Sequence, residues 1–340
     1  MRTNIWGNRL HNNSIVAMVK KNAGILVVLF VFGLLLSLMT DTFLTNNNII
    51  SVLRQISINM FIALGMTYVI ILGGIDLSVG SIVAMSGTLT VGFTMTQGLP
   101  LWLAILLGLA IGSLAGFLNG LIIAKFKVPA FIVTMAMMNI ASGIAYVYSG
   151  GRSTRIKDPF FIKIGTGYLF DVIPLPVVYM AVLIALFSFL LNKTKFGTYI
   201  YAIGGNRESA RLSGVPIFKV EIIVYTITGL LSAFAGLVLS SRMYSGQPSV
   251  GSGYELDAIA ACVLGGVSMS GGKGSISGTV IGAMVIGIIS NGLNLMGVSS
   301  FWQLIVKGII ILCAILIDTQ KGKESIVLRT VGRAINHKNK

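Results

Sequence analysis

A chain of 340 residues that is 55% hydrophobic and only 10% charged, with a mean hydropathy of +0.89, is too apolar for an ordinary soluble domain. The formal charge of +15 raises nucleic acid as a partner, but the basic residues flank apolar runs and no nucleic-acid motif accompanies them, so none is expected. A β-barrel would alternate in polarity over segments of about ten residues; that pattern is absent, and the expectation is an all-α polytopic membrane protein.

Arg2, Arg9, Lys20 and Lys21 ahead of an apolar run from Gly24 resemble a signal peptide, but no small-x-small cleavage site follows, so the run reads as a retained first span. Runs of about 20 apolar residues suffice to cross a hydrocarbon core of about 30 Å. About ten are expected, at 24–41, 50–73, 79–97, 101–124, 129–148, 173–192, 220–241, 256–270, 276–297 and 300–318. Placing 1–23 in the cytoplasm puts eighteen Lys and Arg on the inner side against five outside, Arg152, Arg155, Lys157, Lys163 and Arg242. The positive-inside rule then makes both termini cytoplasmic, and the basic tail 321–340 is expected at an anionic lipid surface.

In "LGGIDLSVGS", Leu72 to Ser81, Gly73 and Gly74 break the second span, and Asp76 or Ser78 can cap the next helix, which starts near Ser78 and takes in Gly80 of the same motif. A carboxylate within a membrane span costs about 2.5–3.5 kcal/mol on insertion scales. Asp76 therefore reads as a structural cap at a tight turn, with contact to a transported solute as the sharper alternative. Asn59, Tyr68, Asn119, Asn139, Ser142, Asn291 and Asn294 are polar groups inside spans. Met135, Asn139, Ser142 and Tyr146 recur at three- and four-residue steps on one helix face, which could line a path for a neutral, hydroxyl-rich solute; interhelical hydrogen bonding explains such residues equally well.

The stretch from Gly150 to Pro174 holds four basic residues on the outer side and reads as a folded external loop. The longest inner loop, 193–219, contains "GGNRESARLSG": Gly205 precedes Asn206 as N-cap, Arg207 and Glu208 open a helix, Ser209, Ala210 and Arg211 continue it, and Gly214 with Pro216 stops it. A two-turn helix is unstable alone in water. It must dock, on its own chain or, since most of its faces are polar, on a partner protein.

"SVGS" occurs at Ser78–Ser81 and Ser249–Ser252, each preceded at the same distance by a glycine (Gly65, Gly236) and followed by an Asn-Gly pair (Asn119-Gly120, Asn291-Gly292). The offset of about 171 residues maps 50–148 onto 220–318 with opposite starting sides, an inverted repeat of the kind that surrounds a midplane site in transporters. "VLGGVSMSGGKGSISGT" from Val263 is glycine-rich, but Val267 and Gly274 occupy positions where a phosphate loop needs Gly and Ser or Thr, so this chain is not expected to bind nucleotide. Lys307 lies within the last span with no evident partner, and Cys262 and Cys313 read as buried free thiols. His11 and His337 lie in the tails, which leaves no catalytic triad and no metal set.

Glu208, Ser209, Ala210 and Gly214 follow the Glu-Ala-Ala, three residues, Gly pattern of the cytoplasmic coupling segment of ABC importer permeases, with Ser in the second place and without the closing Ile-x-Leu-Pro. Together with "GGIDLSVGS" and "ACVLGGVSMSGGKGSISGT" it closely resembles the ribose-type monosaccharide permease family over nearly the whole chain. The resemblance implies a fold similar to the vitamin B12 importer (type II importer) permease and a subunit without cofactor. It also implies a second permease chain, identical or paralogous, a cytoplasmic ABC ATPase that binds the ATP and magnesium, and an extracytoplasmic solute-binding protein at a bacterial inner membrane. Related permeases for branched-chain amino acids or nucleosides, and a self-sufficient secondary transporter, are the competing readings.

Overall fold

The computed structural model describes residues 23–313, 315 and 316; the expected tail 321–340 and nearly all of the expected N-terminal segment 1–23 lie outside them. Among the described residues the chain is a helical bundle. Six helices are long and apolar enough to cross a membrane: α2 (Asn46–Leu72), α4 (Leu101–Phe126), α5 (Ala130–Ser149), α7 (Leu175–Lys193), α10 (Ile217–Arg242) and α12 (Ile276–Leu295). Three shorter apolar helices are α1 (Ala23–Met39), α3 (Val79–Met95) and α13 (Ser300–Cys313).

Helix α2 is the innermost element, buried without interruption from Ile56 to Leu72. It starts where Thr45 Oγ1 accepts the Asn48 N–H (3.4 Å) and ends where Gly73 turns into the left-handed region at φ +96°. Helix α10 packs on α2, α3 and α4 together. By contrast α4, α5 and α7 present most of their surface outward, with Trp102, Leu106, Ile140 and Phe189 exposed. In a bilayer, packing between helices has to come from close approach and not from hydrophobic burial.

That approach is made at glycines. Gly116 of α4 and Gly229 of α10 face each other so tightly that a Cβ on Gly116 would lie 3.1 Å from the Gly229 Cα, and one on Gly229 2.9 Å from the Gly116 Cα. Farther along α10, a Cβ on Gly236 would collide with the Val83 carbonyl of α3.

Helix α11 (Tyr254–Leu264) has 11 residues where the sequence pattern suggests a run through 270. At 1.5 Å per residue it is about 16 Å long, roughly half of a hydrocarbon core. It stops because Gly265 ends the hydrogen-bonded turn and Gly266 adopts φ +79°, which cannot continue a right-handed helix. The irregular glycine-rich stretch beyond docks on the end of α2, with Gly272 N–H donating to the Ile71 carbonyl (2.8 Å).

The stretch 150–174 is ordered, as the sequence pattern suggests. Its strand β1 (Thr154–Arg155) pairs antiparallel with β4 (Ser245–Gly246). Asp158 caps α6 (Pro159–Thr166) by accepting the Phe160 and Phe161 N–H groups (2.7 and 3.1 Å). A small hairpin joins β2 (Tyr168–Leu169) to β3 (Ile173–Pro174). Phe161 is fully buried, and Arg54 of α2 donates to the Thr166 carbonyl (2.8 Å) while lying over the Tyr168 ring. Cys262 is buried beside Thr67, as expected of a core thiol; Cys313 is exposed among the described residues, against that expectation, because it lies on a face of α13 that the described residues leave uncovered.

Replacing Gly116 by Leu forces α4 and α10 apart, because its Cβ already collides with the Tyr225 carbonyl. Overpacking of this kind typically costs about 1–3 kcal/mol or more. The expected result is a clear drop in the thermal midpoint of the detergent-solubilised protein; an unchanged midpoint would contradict this crossing.

Candidate functional site

Two discontinuities interrupt the bundle. The first is Gly73–Ser78 between α2 and α3. Ser78 donates both its N–H and its hydroxyl to Asp76 Oδ1 (2.9 and 2.6 Å), and Asn119 Nδ2 of α4 donates to the Ser78 oxygen (3.0 Å). Thr134 of α5 serves the same turn, its hydroxyl oxygen 3.1 Å from Leu77 N and 3.2 Å from the Ile75 carbonyl. Asp76 is wholly buried, and its Oδ2 has no hydrogen-bond partner, nor has Asn119 Oδ1. The arrangement is that of a cap and brace for an irregular turn, since buried backbone groups outside helices require partners.

The second discontinuity is Gln247–Gly253, between β4 and α11. Its "SVGS" lies against the first turn of α3, just after the first one: a Cβ on Gly80 would collide with the Gly251 carbonyl, and one on Gly251 with the Gly80 carbonyl. The contact is reciprocal. It falls between the level of Tyr225, whose hydroxyl packs over Gly74, and that of Gly236, near the middle of α10. The N-termini of α3 and α11 both start there.

Beside this crossing is a cavity of about 260 Å³ walled by α3, α5 and the 248–255 stretch. Its lining includes Ser81, Asn139, Ser142, Tyr146, Ser252 and Glu255. Neutral hydroxyls, one amide and one carboxylate form a surface suited to a polar solute smaller than the drug-sized ligands of pockets of about 300–1,000 Å³. Asn139 and Tyr146, with Met135 one turn away, are exposed on the outer side of α5.

The other polar positions picked out from the sequence lie elsewhere. Tyr68 is buried between Phe187 and Phe196 and donates to the Phe187 carbonyl (2.5 Å). Asn59 is buried in α2, Asn119 braces Ser78, Asn291 exchanges hydrogen bonds with Asn48 (2.8 and 3.1 Å), and Asn294 accepts from Gln303 (2.8 Å). Ser81, Ser252 and Glu255 were not singled out in the sequence; the doubled "SVGS" was the signal for the two serines.

At one end of the bundle, α8 (Lys195–Gly205) runs into α9 (Arg207–Leu212). Asn206 caps α9 as its sequence predicts, its side-chain oxygen accepting the Ser209 N–H (2.8 Å), and Gly214 at φ +77° follows the end. Ala210 is buried. Arg207 forks onto Glu221 of α10, with Nη2 to Oε2 at 3.0 Å and Nη1 to Oε1 as the second arm. Glu208 and Arg211 instead pair with each other on the open face (2.5 Å), and the guanidinium holds the Glu208 carboxyl below its usual range. Ser209 is exposed, and Leu212 is 76% exposed. Beneath, Gly204 packs on the Ile71 carbonyl and Gly272, and Tyr201 of α8 donates to the Gly274 carbonyl (3.0 Å). The segment therefore touches the end of α2 and the glycine-rich stretch after α11.

Lys307 of α13 donates to Asp257 of α11 (2.8 Å), supplying the partner that the sequence left open.

A polar cavity where a chain break meets the first turn of α3, in a bundle with six helices of membrane-spanning length, has the make-up of a membrane transport subunit. The chain belongs to the family described as branched-chain amino acid transport system / permease component, which matches residues 48–315 and so includes all three motifs. It is 47% identical over 305 residues to the ribose import permease protein RbsC of Bacillus subtilis strain 168, covering 89% of this chain and 94% of that one. It is 43% identical to the RbsC of Escherichia coli K12, covering 87% and 93%, and 42% identical to the L-arabinose transport system permease protein AraH of the same strain, covering 88% and 91%. No solved structure matches significantly.

Lys307→Met leaves Asp257, which is only 4% exposed, as an unpaired buried charge. Breaking one side of such a pair typically costs about 3–5 kcal/mol. The single variant should show a sharply lower thermal midpoint, and Asp257→Asn added to it should recover part of the loss; a double variant no better than the single would exclude the ion pair as the cause.

Proposed function

We propose that this chain is the membrane-spanning subunit of an ATP-driven, binding-protein-dependent importer that carries a monosaccharide of the ribose or arabinose type across the bacterial inner membrane. The identity of 47% with a ribose import permease over 89% of the chain carries this reading. The hydroxyl, amide and carboxylate groups in the lining of the cavity support it, because such groups suit a polyol better than an apolar amino-acid side chain.

Ten membrane segments follow if α1, α3, α11 and α13 join the six long helices, α11 entering only partway. The proposed architecture is that of a type II, vitamin B12 importer-like permease with both termini cytoplasmic. The proposed inverted repeat, 50–148 and 220–318, is supported by the equal offset between the starts of α2 at Asn46 and α10 at Ile217 and by the reciprocal Gly80–Gly251 contact, which joins equivalent positions. The segment 193–219 is then cytoplasmic. Its residues Glu208, Ser209, Arg211 and Leu212 offer an open surface to an ABC ATPase that holds the ATP and magnesium, while Arg207 ties that surface to α10. A rigid shift of α9 can thereby reach the bundle as a domain-scale rearrangement.

A polar face on α5 is costly against lipid hydrocarbon. Asn139, Ser142 and Tyr146 accordingly argue for a second permease chain, identical or paralogous, across a hydrated path. The loop with β1, α6 and the β2–β3 hairpin, carrying Arg152, Arg155, Lys157 and Lys163, is the proposed landing surface for the solute-binding protein.

Proteoliposomes containing the chain with its ATPase and binding protein should take up D-ribose or L-arabinose only when ATP is inside; uptake by this chain alone under an ion gradient would overturn the importer reading. A cysteine at Ser209 in the active complex should crosslink to the ATPase, and an active complex giving no crosslink there would remove α9 from the contact.

A further inference from the structure

Glu255 is the one carboxylate in the lining of the cavity at the crossing. It occupies the second position of α11, where its Oε1 accepts the Gly253 N–H (3.2 Å). Its Oε2 lies against the Gly80 backbone, so that a Cβ on Gly80 would collide with it. Among the described residues the ion pairs are Arg207–Glu221, Arg211–Glu208 and Lys307–Asp257, so Glu255 has no paired cation. A carboxylate has acceptor capacity for about four hydrogen bonds; the backbone N–H groups of Gly253 and of Glu255 itself leave part of it unused.

The N-termini of α3 and α11 meet beside Glu255, each carrying partial positive charge. Other side chains in the wall, Ser81, Ser252, Asn139 and Ser142 among them, are hydroxyls and an amide that can both donate and accept. A solute with hydroxyls on adjacent carbons could give two hydrogen bonds to the carboxylate and receive others from the serines. Hydrogen bonds to a charged acceptor are the strong ones, and an anionic solute would meet repulsion in the same place.

We infer that Glu255 accepts hydrogen bonds from adjacent hydroxyl groups of a neutral polyhydroxylated solute passing through the cavity, and thereby helps set which solutes cross. This rests on the importer reading and assigns a residue to it. The bland alternative is that Glu255 only caps α11, and Gln distinguishes the two. Its amide oxygen can still accept the Gly253 N–H, so a cap survives Glu255→Gln, whereas the charged acceptor is lost.

The test uses the assembled complex in proteoliposomes with D-ribose as the probe and saturating binding protein. For Glu255→Gln, uptake per ATP hydrolysed should fall roughly tenfold or more, the order expected for losing hydrogen bonds to a charged group, while the thermal midpoint and the sugar-independent ATPase rate stay as in the wild type. Uptake per ATP equal to the wild type would overturn the inference while leaving the importer reading standing. A wild-type complex that carried no monosaccharide would overturn both. If the Gln variant does not assemble, Glu255→Asp keeps the charge and withdraws it by one methylene: a fall in uptake per ATP supports the role, and an unchanged ratio overturns it.

Discussion

Backbone-to-backbone contact between α10 and its neighbours is the constraint from which the rest of the bundle follows. Lipid is as apolar as leucine, so burying leucine between helices gains little; dispersion and close approach must supply the association. The Gly116–Gly229 and Gly236–Val83 contacts bring α4 and α3 onto α10 at separations that any side chain would prevent. Once α10 is clasped in this way, its ends are fixed. One carries Glu221 to Arg207, and the other runs into the β4 strand that pairs with β1.

The same constraint explains where polar atoms are found. Two stretches of non-helical backbone penetrate the bundle, and a bilayer offers no water to satisfy them. Asp76, Ser78, Asn119 and Thr134 satisfy one of them from three different elements. The second meets the first turn of α3, just past the first, at Gly80 and Gly251. The cavity beside this crossing is walled by α3, α5 and the 248–255 stretch, and its polar lining comes from the start of α3, from that stretch and from one face of α5.

Much of this was legible in the sequence, for local reasons. Apolar length located the helices, Asn206 and Gly214 bounded α9 through their own capping chemistry, and Gly73 marked the end of α2. The limits were equally physical. The run 256–270 is apolar throughout, so hydropathy could not show that two glycines halt α11 at Leu264. The polar residues inside spans look alike in sequence, yet Asn139 and Ser142 line the cavity while Asn119 and Asn291 hold helices together. Depth and rotation about the helix axis separate them, and both are set by neighbours. Glu255 enters the cavity through the path of the 248–255 stretch, which no periodicity encodes.

The Asp257–Lys307 pair also constrains the order in which the chain can be completed. Its two members stand 50 residues apart, on α11 and on the last helix described. A growing chain therefore makes the buried carboxylate long before its ammonium partner. Until α13 arrives, Asp257 must stay protonated, stay hydrated, or stay outside its final position, since an unpaired charge in that setting is expensive. The half-helix next to the cavity thus reaches its final position with Asp257 charged only once α13 has supplied Lys307.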